Sequence, residues 1–476
     1  MEIVTGKCLG AKTIMNINEL KGKKITVMGL GLHGGGIGTI RFLSEAGATV
    51  LVTDLKSEKE LKTSLDKLKD VSEIEYVLGQ HRECDFEKAD MVIKNPGVPW
   101  TNKYVQLALK NKIPVEIDSS LFFKLCDNKI IGVTGTRGKT TTSSLIYEIL
   151  REAGLNPVKV GIGQISTLDR LKELKSDSVV VFELSSWRLS ALGRYKLSPE
   201  VAVVTNILQD HLNYYANLDE YLADKKYIFS NQKKTDFCIL NWDDQKLKNL
   251  EKEIDSQLVR FSKNKIIQGK AVYISGNAIY SRWEGVETKI MDIGEVKIKG
   301  AHNINNILAS IGVAKSLGIE RETIKKGILS FTGLPHRLEF VREISGVKYY
   351  NDTAATSPDG AISSLNSFTE PIVLIAGGSD KNLDMRELAI SIRNKTDRIV
   401  FLEGIGTDKI IYELKILGED REFAVVDSME KAVSLASSLA KKGDVVLLSP
   451  GTASFGIFLN EFDRGDKFKL AVNGLN

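Results

Sequence analysis

Apolar runs of four or five residues, each closed by a glycine-rich or polar loop, alternate with helix-like segments along most of the chain. Continuous runs of this length are the pattern of strands buried on both faces, as in parallel sheets covered by helices. A first block holds Lys24-Ile25-Thr26-Val27-Met28, Val50-Leu51-Val52-Thr53 and Met91-Val92-Ile93, and ends before Asp127-Asn128. A second opens at Lys129-Ile130-Ile131-Gly132-Val133 and continues through Val179-Val180-Val181-Phe182 and Val201-Ala202-Val203-Val204. It then weakens into a mixed stretch from Thr235 to Lys299 and closes near Gly333-Leu334-Pro335, because proline disfavours helix at the residue before it. The third contains Ile372-Val373-Leu374-Ile375, Arg398-Ile399-Val400-Phe401-Leu402 and Asp444-Val445-Val446-Leu447-Leu448. The expected architecture is α/β in three domains, residues 1–125, 126–333 and 334–476, with parallel strands throughout and sites beyond their carboxyl ends.

Composition changes this picture little. A chain of 476 residues is too long for one core, in keeping with about three domains. Lys+Arg 65 against Asp+Glu 61 leaves a scattered net charge of +4, which makes no electrostatic case for nucleic acid or an anionic membrane. Cys8, Cys84, Cys126 and Cys238 are far apart and form no CxxC pair, which argues against a disulfide framework or a zinc knuckle and fits a reducing, cytoplasmic setting. The segment MEIVTGKCLGAK lacks an apolar signal core, and no stretch approaches the ~20 apolar residues that cross a bilayer.

Candidate chemistry lies in the loops. TGTRGKTTT, Thr134 to Thr142, follows one apolar run and opens the helix-like SSLIYEILREAG, so it reads as strand, phosphate-binding loop and helix. Gly135 and Gly138 let the backbone turn N–H groups inward, Lys139 reaches the outer phosphates, and the Thr140 hydroxyl is placed for Mg²⁺. The bland alternative is a glycine-rich turn before an ordinary helix, and Val133 stands where the general pattern has glycine. In the first block Gly29-Leu30-Gly31-Leu32-His33-Gly34 follows a strand, and Asp54 closes the next one, a dinucleotide fingerprint that does not distinguish NAD from another diphosphate. Glu183 after one strand of the second block, and Asn206, Asp210 and His211 after another, converge on the edge that carries the phosphate loop. Glu183 and His211 are candidate Mg²⁺ ligands there; read singly, they are a solvated loop acid and a locally bonded helix-start residue.

The same loops, with ELSSW (Glu183 to Trp187), TNILQDHL followed by YLADKKYIF, GAHNINN (Gly300 to Asn306), GLPHRLE (Gly333 to Glu339), YNDTAATSP (Tyr350 to Pro358), AGGSDK (Ala376 to Lys381) and LLSPGTASF (Leu447 to Phe455), occur in an order that resembles the Mur ligases over nearly the whole chain. The resemblance implies a Rossmann-like N-terminal domain that binds the UDP of a sugar nucleotide, a central P-loop ATPase-type domain and a C-terminal Rossmann-like domain that carries amino-acid contacts and closes over ATP. The similarity is greatest to members that join D-glutamate to UDP-N-acetylmuramoyl-L-alanine through an acyl phosphate. It assigns UDP-sugar contacts to Gly31, Leu32, His33, Gly34, Asp54, Lys56, Gly97 and Ser185, and ATP contacts to Gly135, Thr136, Arg137, Gly138, Lys139, Thr140, Thr141, Asn306, Arg337 and Asp352. Thr140, Glu183, His211 and a carbamylated Lys225 would serve two Mg²⁺ ions; Lys139, Glu183, His211 and Lys225 form the catalytic set; Thr356, Lys381 and Ser454 would hold the acidic amino acid. Without the family pattern, Lys225 is a solvent-facing helix lysine, Lys381 a loop charge and Ser454 a helix cap. The implied protein is a cytoplasmic monomer with no nucleic-acid or membrane partner.

Several positions depart from the family pattern. Arg137 adds a cation to the phosphate loop, Ala354 removes one, Arg188 follows Trp187 where a neutral amide is common, and Gly161 to Ser166 replaces a GGN-type loop, with Gln164 a possible substitute amide. Glu461 replaces an aromatic residue and would repel D-glutamate unless it points away. A Mur-type ligase with another amino acid or carrier is therefore the alternative, and a dehydrogenase fused to an NTPase or a non-catalytic nucleotide-sugar sensor is the alternative of a different class.

Overall fold

The computed structural model describes residues 15–32, 34–163, 165–208, 215, 217–396, 398–420 and 422–475. Residues Met1–Glu295 and Asn305–Ser330 form one compact unit, and Val296–Ile304 with Phe331–Asn476 form another. The first unit contains two sheets. One holds β1 (Lys24–Met28), β2 (Thr49–Asp54), β3 (Ile74–Leu78), β4 (Met91–Lys94) and β5 (Val115–Glu116), in the order β3-β2-β1-β4-β5. Every pairing in it is parallel. The chain runs outward from β1 on one side and returns to its other side at β4. The loop after β1 therefore opens at a switch point, where neighbouring crossovers lie on opposite faces and leave a crevice.

The second sheet is built from β6 (Lys129–Thr134), β7 (Asn156–Val160), β8 (Ser178–Glu183), β9 (Val201–Val204), β10 (Phe237–Asn241), β11 (Gln257–Ser262), β12 (Lys270–Ser275), β13 (Ala278–Trp283) and β14 (Val286–Asp292). Its order, β14-β13-β12-β11-β10-β9-β6-β8-β7, sets β6 between β8 and β9. That is a second switch point, and the phosphate loop leaves it. An apolar core joins the two sheets: Val27 and Ile93 of the first share a cluster with Phe122, Phe123 and Phe182, and the Phe122 and Phe182 rings meet edge to face at 5.2 Å.

The other unit carries β15 (Glu339–Ile344), β16 (Val347–Asn351), β17 (Ile372–Gly377), β18 (Arg398–Leu402), β19 (Ala424–Val426) and β20 (Val445–Leu448), in the order β15-β16-β20-β17-β18-β19. Alternate residues feed opposite faces: Leu374, Phe401 and Leu447 enter one core cluster, and Val373, Val400 and Val446 the other. The last strand, β20, inserts between β16 and β17, so the loops after all three open side by side.

Strands are not parallel throughout. β12, β13 and β14 form an antiparallel meander and β15 pairs antiparallel with β16. The cause is local: Glu284-Gly285 and Ser345-Gly346 both have positive φ at their two positions, the two-residue turns that match strand twist, and Gly276 (φ 60) opens a third. Such short turns cannot make the long crossover a parallel pair needs.

Candidate active site

The phosphate loop is a strand-to-helix junction. β6 ends at Thr134 and the helix Lys139–Glu152 begins after Gly138, whose φ of 84° is left-handed. Gly135 has φ 141°, and a Cβ there would lie 1.9 Å from Thr205 Oγ1; one at Gly138 would lie 2.4 Å from Asn306 Oδ1. Both positions therefore exclude a side chain. The N–H groups do not all turn inward: Thr136 N donates to the Asn206 carbonyl and Arg137 N to Asn206 Oδ1, each at 2.9 Å. The anion-facing donors are thus the first-turn N–H groups of the helix, which have no intrahelical acceptor. Thr140 and Thr141 lie in that turn, half-buried, while the Arg137 side chain is exposed.

The cations around the loop are held by it. Lys139 Nζ donates to the carbonyls of Gly135 and Thr136, each at 3.0 Å. Lys225 belongs to the helix Leu218–Lys226 and is only 2% exposed, so it is not a solvent-facing lysine. Its Nζ donates to Gly135 O at 3.0 Å and Thr134 Oγ1 at 3.3 Å and lies 4.6 Å from the Tyr221 ring centre. Beside it, burial pushes the Asp224 carboxyl up to about 6 despite a hydrogen bond from the Tyr215 hydroxyl at 2.9 Å. Glu183 ends β8, and its buried Oε2 has no hydrogen-bond partner among the described residues. Asn306 is 4% exposed and accepts from the Thr142 hydroxyl at 3.2 Å. Asp210, His211, His33 and Gln164 lie outside the described residues.

Arg188 is engaged within the protein. It reaches the Gly161 carbonyl at 3.0 Å and Asp118 Oδ2 at 3.3 Å, which ties the loop after β7 to the helix Asp118–Leu125. Ser185 caps the helix Ser186–Arg194 by accepting from Arg188 N at 3.4 Å.

In the loop after β1, Asp54 is 8% exposed and uses both oxygens on backbone: Oδ2 accepts from Gly31 N at 3.1 Å, and Oδ1 from Lys56 N at 2.9 Å. It shapes the glycine turn before any ribose is considered. Gly36 is required by packing, since a Cβ would lie 2.2 Å from the Leu30 carbonyl, whereas Gly35 faces open space. Leu32 is exposed, and Gly97 N donates to Asn95 Oδ1 at 3.0 Å. Sequence reasoning missed Lys94 at the end of β4. It is 1% exposed, donates to the Val98 carbonyl at 2.8 Å and lies 4.4 Å from the Trp100 ring centre; burial, reinforced by Arg194, pushes its amine down to about 8.

In the other unit, Lys381 Nζ donates to Thr356 Oγ1 at 3.1 Å. Ser379 and Ala453 exchange backbone hydrogen bonds at 3.1 Å, which brings buried Ser454 beside the Lys381 loop. Three residues assigned to the acidic amino acid therefore gather at the β17/β20 switch point. Asp352 is 6% exposed; it accepts from Leu338 N at 3.1 Å, from the Ser449 hydroxyl at 3.1 Å and from the Ser364 hydroxyl, and burial pushes its carboxyl up to about 6. Arg337 follows His336, in left-handed backbone at φ 65°, in the loop before β15. A second residue missed in the sequence is Arg464, 0% exposed on the helix Glu461–Asn473. Its signal was an arginine in register with Phe468 and Val472, four and eight residues on, along the buried face.

Residues 23–116 match the Mur ligase MurD-like N-terminal domain, residues 133–314 the Mur ligase middle domain and residues 336–451 the Mur ligase glutamate ligase domain. The chain is 40% identical to UDP-N-acetylmuramoylalanine--D-glutamate ligase of Roseiflexus sp. (strain RS-1), over 95% of this chain and 99% of that one. It is 38% identical to the enzyme of the same name from Clostridioides difficile (strain 630), over 96% and 100%. Among solved structures, UDP-N-acetylmuramate-alanine ligase of Thermotoga maritima superposes with a TM-score of 0.57 at 22% identity, covering 95% of this chain and 99% of that one. MurF ligase of the same organism, in complex with ADP, gives 0.56 at 18% identity, covering 97% of each. With three switch-point loops, an ordered set of matching domains and relatives aligned end to end, the chain belongs to the Mur ligase family, ATP-dependent ligases that form amide bonds.

Proposed function

We propose that this ligase joins D-glutamate to UDP-N-acetylmuramoyl-L-alanine, with domains spanning 1–125, 126–333 and 334–476 that hold the UDP-sugar, ATP and the amino acid respectively. The observation that carries the reading is the near-full-length identity to D-glutamate ligases, joined to a phosphate loop whose lysine lies against its own carbonyls. Lys139 exchanges those two carbonyls for γ-phosphate oxygens when ATP binds. A terminal carboxylate oxygen of the UDP-sugar substrate attacks the γ-phosphorus, the bond to the bridging oxygen breaks, and ADP leaves. The D-glutamate amine then attacks the acyl carbon. The tetrahedral intermediate expels phosphate with its electron pair, and the nitrogen loses a proton. Both steps align anions, so positioning and fixed positive charge provide most of the catalysis.

The donor set fits Mg²⁺. Glu183 offers a buried oxygen with no partner among the described residues, and Thr140 a hydroxyl in the first turn of the phosphate-loop helix. These are hard oxygen donors, and bound Mg²⁺ would supply charge neutralisation at the phosphates. Among the described residues no three His, Cys, Asp or Glu side chains converge, in keeping with an ion that takes its remaining ligands from phosphate and water. A second ion would use His211 and a carbamate on Lys225, which is buried beside the phosphate loop; carbamylation itself requires the neutral amine. Lys225→Ala should be inactive and recover with short carboxylic acids; full activity, or no rescue, would remove the carbamate from the mechanism. Gly31, Leu32, His33, Gly34, Asp54, Lys56, Gly97 and Ser185 would line the UDP-sugar site, and Asn306, Arg337 and Asp352 the adenosine side. No helix among the described residues is long and apolar enough to cross a membrane; a cytoplasmic setting and a monomer are part of the same proposal.

The deciding experiment is phosphate release with UDP-N-acetylmuramoyl-L-alanine against a panel of D- and L-amino acids. Turnover is expected with D-glutamate. Turnover with another acceptor and none with D-glutamate would overturn the substrate assignment.

A further inference from the structure

Arg464 is fully buried, yet no carboxylate of the described residues pairs with it. Its Nε donates to Thr353 Oγ1 at 2.9 Å. Nη1 reaches the carbonyls of Ala453 at 3.1 Å and Thr452 at 3.4 Å, and Nη2 those of Thr353 at 3.0 Å and Thr452 at 3.4 Å. These contacts satisfy the guanidinium fork with neutral acceptors, and no ion pair among the described residues neutralises its charge. A buried charge normally has a counterion, because desolvation is otherwise costly. The contacted residues lie in two substrate loops: Thr353 precedes Thr356 by three positions, and Ala453 adjoins Ser454. A Cβ at Gly378, in the loop that leads to Lys381, would lie 3.6 Å from Nη1. One cation thus underlies all three loops. Thr353 Oγ1 also donates to the Glu461 carbonyl at 2.9 Å, which fixes the start of the helix that carries Arg464.

We infer that Arg464 is a positioning residue that clamps the loops after β16 and β20 and leaves its positive charge beneath the amino-acid site, so that the site selects an acceptor with an additional carboxylate. The inference rests on the acidic-acceptor reading above. It also accounts for Glu461, the anion that departs from the family pattern: three positions before Arg464 and half-buried, it is the carboxylate whose charge most nearly offsets the guanidinium. Burial in low dielectric makes the field of Arg464 felt over several ångströms and shields it from salt.

The test uses the full-length enzyme and measures kcat and KM for D-glutamate, with KM for ATP and the UDP-sugar as controls and thermal stability followed in parallel. Arg464→Met should raise KM for D-glutamate about tenfold, with a smaller change in KM for ATP. Arg464→Lys keeps the charge and loses the fork, and should recover most of that KM even if it melts as early as the Met variant. Glu461→Gln leaves the clamp in place, removes the opposing charge and should lower KM for D-glutamate about threefold. Equal KM values for the Met and Lys variants, or no change in Glu461→Gln, would overturn the electrostatic role. If Arg464→Met and Arg464→Lys do not fold, Glu461→Gln alone decides. Absence of D-glutamate turnover in the wild type would instead defeat the substrate reading itself.

Discussion

The phosphate loop and the corner around Arg464 do comparable work by opposite constructions. The first is nine consecutive residues, Thr134 to Thr142, leaving one strand and entering one helix. The second is assembled from loops after β16, β17 and β20, between Thr353 and Ala453, with a side chain from the last helix holding two of them together. A contiguous loop can be organised by its own glycines and a helix start, whereas a dispersed site needs a cross-brace. The charges follow the same division. Around the phosphate loop, exposed Arg137 apart, the cations are lysines, Lys139 and Lys225, whose amines can change partner; in the other unit the buried cation is an arginine, whose planar fork fixes geometry and stays charged.

The comparison breaks first at Lys139. Lys139→Ala should lower kcat for phosphate release by about 10³-fold, because a fixed charge at the transferring phosphate is lost; a tenfold loss or less would mean that the helix start alone suffices. Gly135→Ala tests whether the loop is locally determined. The added Cβ meets Thr205 Oγ1 at 1.9 Å in a φ of 141°. A loss of about 2–3 kcal/mol in denaturant unfolding, with ATP binding abolished, is expected. Wild-type stability would show that Thr205 yields freely. Lys381→Ala should raise KM for D-glutamate about thirtyfold and that for ATP far less, since a charge-assisted contact disappears; equal increases would take Lys381 out of the amino-acid site.

A last effect concerns Lys94, the buried cation at the end of β4. Its amine falls from 10.5 to about 8 on folding, so folding penalises the charged form by about 3 kcal/mol. That penalty is complete below pH 8 and is relieved as pH rises from about 8 to about 10.5. The melting temperature of the wild type should therefore gain on that of Lys94→Met across this window, and parallel profiles would show that the amine is not desolvated as its burial indicates.

Legibility in the sequence followed contiguity. The strand-loop-helix around Lys139, the glycine turn after β1 and the three-block α/β layout are written in runs of neighbouring residues and agree with the fold. Two antiparallel features are also signalled, the β13–β14 arm of the meander by Glu284-Gly285 and the β15–β16 hairpin by Ser345-Gly346, against the uniform parallel pattern that the apolar runs suggest. Arg188 stands out in the sequence only as a departure from a neutral amide; its partner Asp118 lies seventy positions earlier in the chain. Asp54 reads in the sequence as a sugar-nucleotide contact, and the fold adds hydrogen bonds to its two oxygens from Gly31 N and Lys56 N.

By itself the sequence determined the local conformations: apolar runs that must be buried as strands, glycines where a Cβ has no room, and a lysine one step beyond a phosphate-binding turn. Tertiary structure decided which charges meet. Strand insertion brings Ala453 to Ser379, the helix Glu461–Asn473 carries Arg464 beneath Thr353, and burial turns Lys225 inward to Gly135. The reason is physical: backbone preferences act over a few residues, whereas desolvation and Coulomb interactions depend on distances that only the folded chain sets.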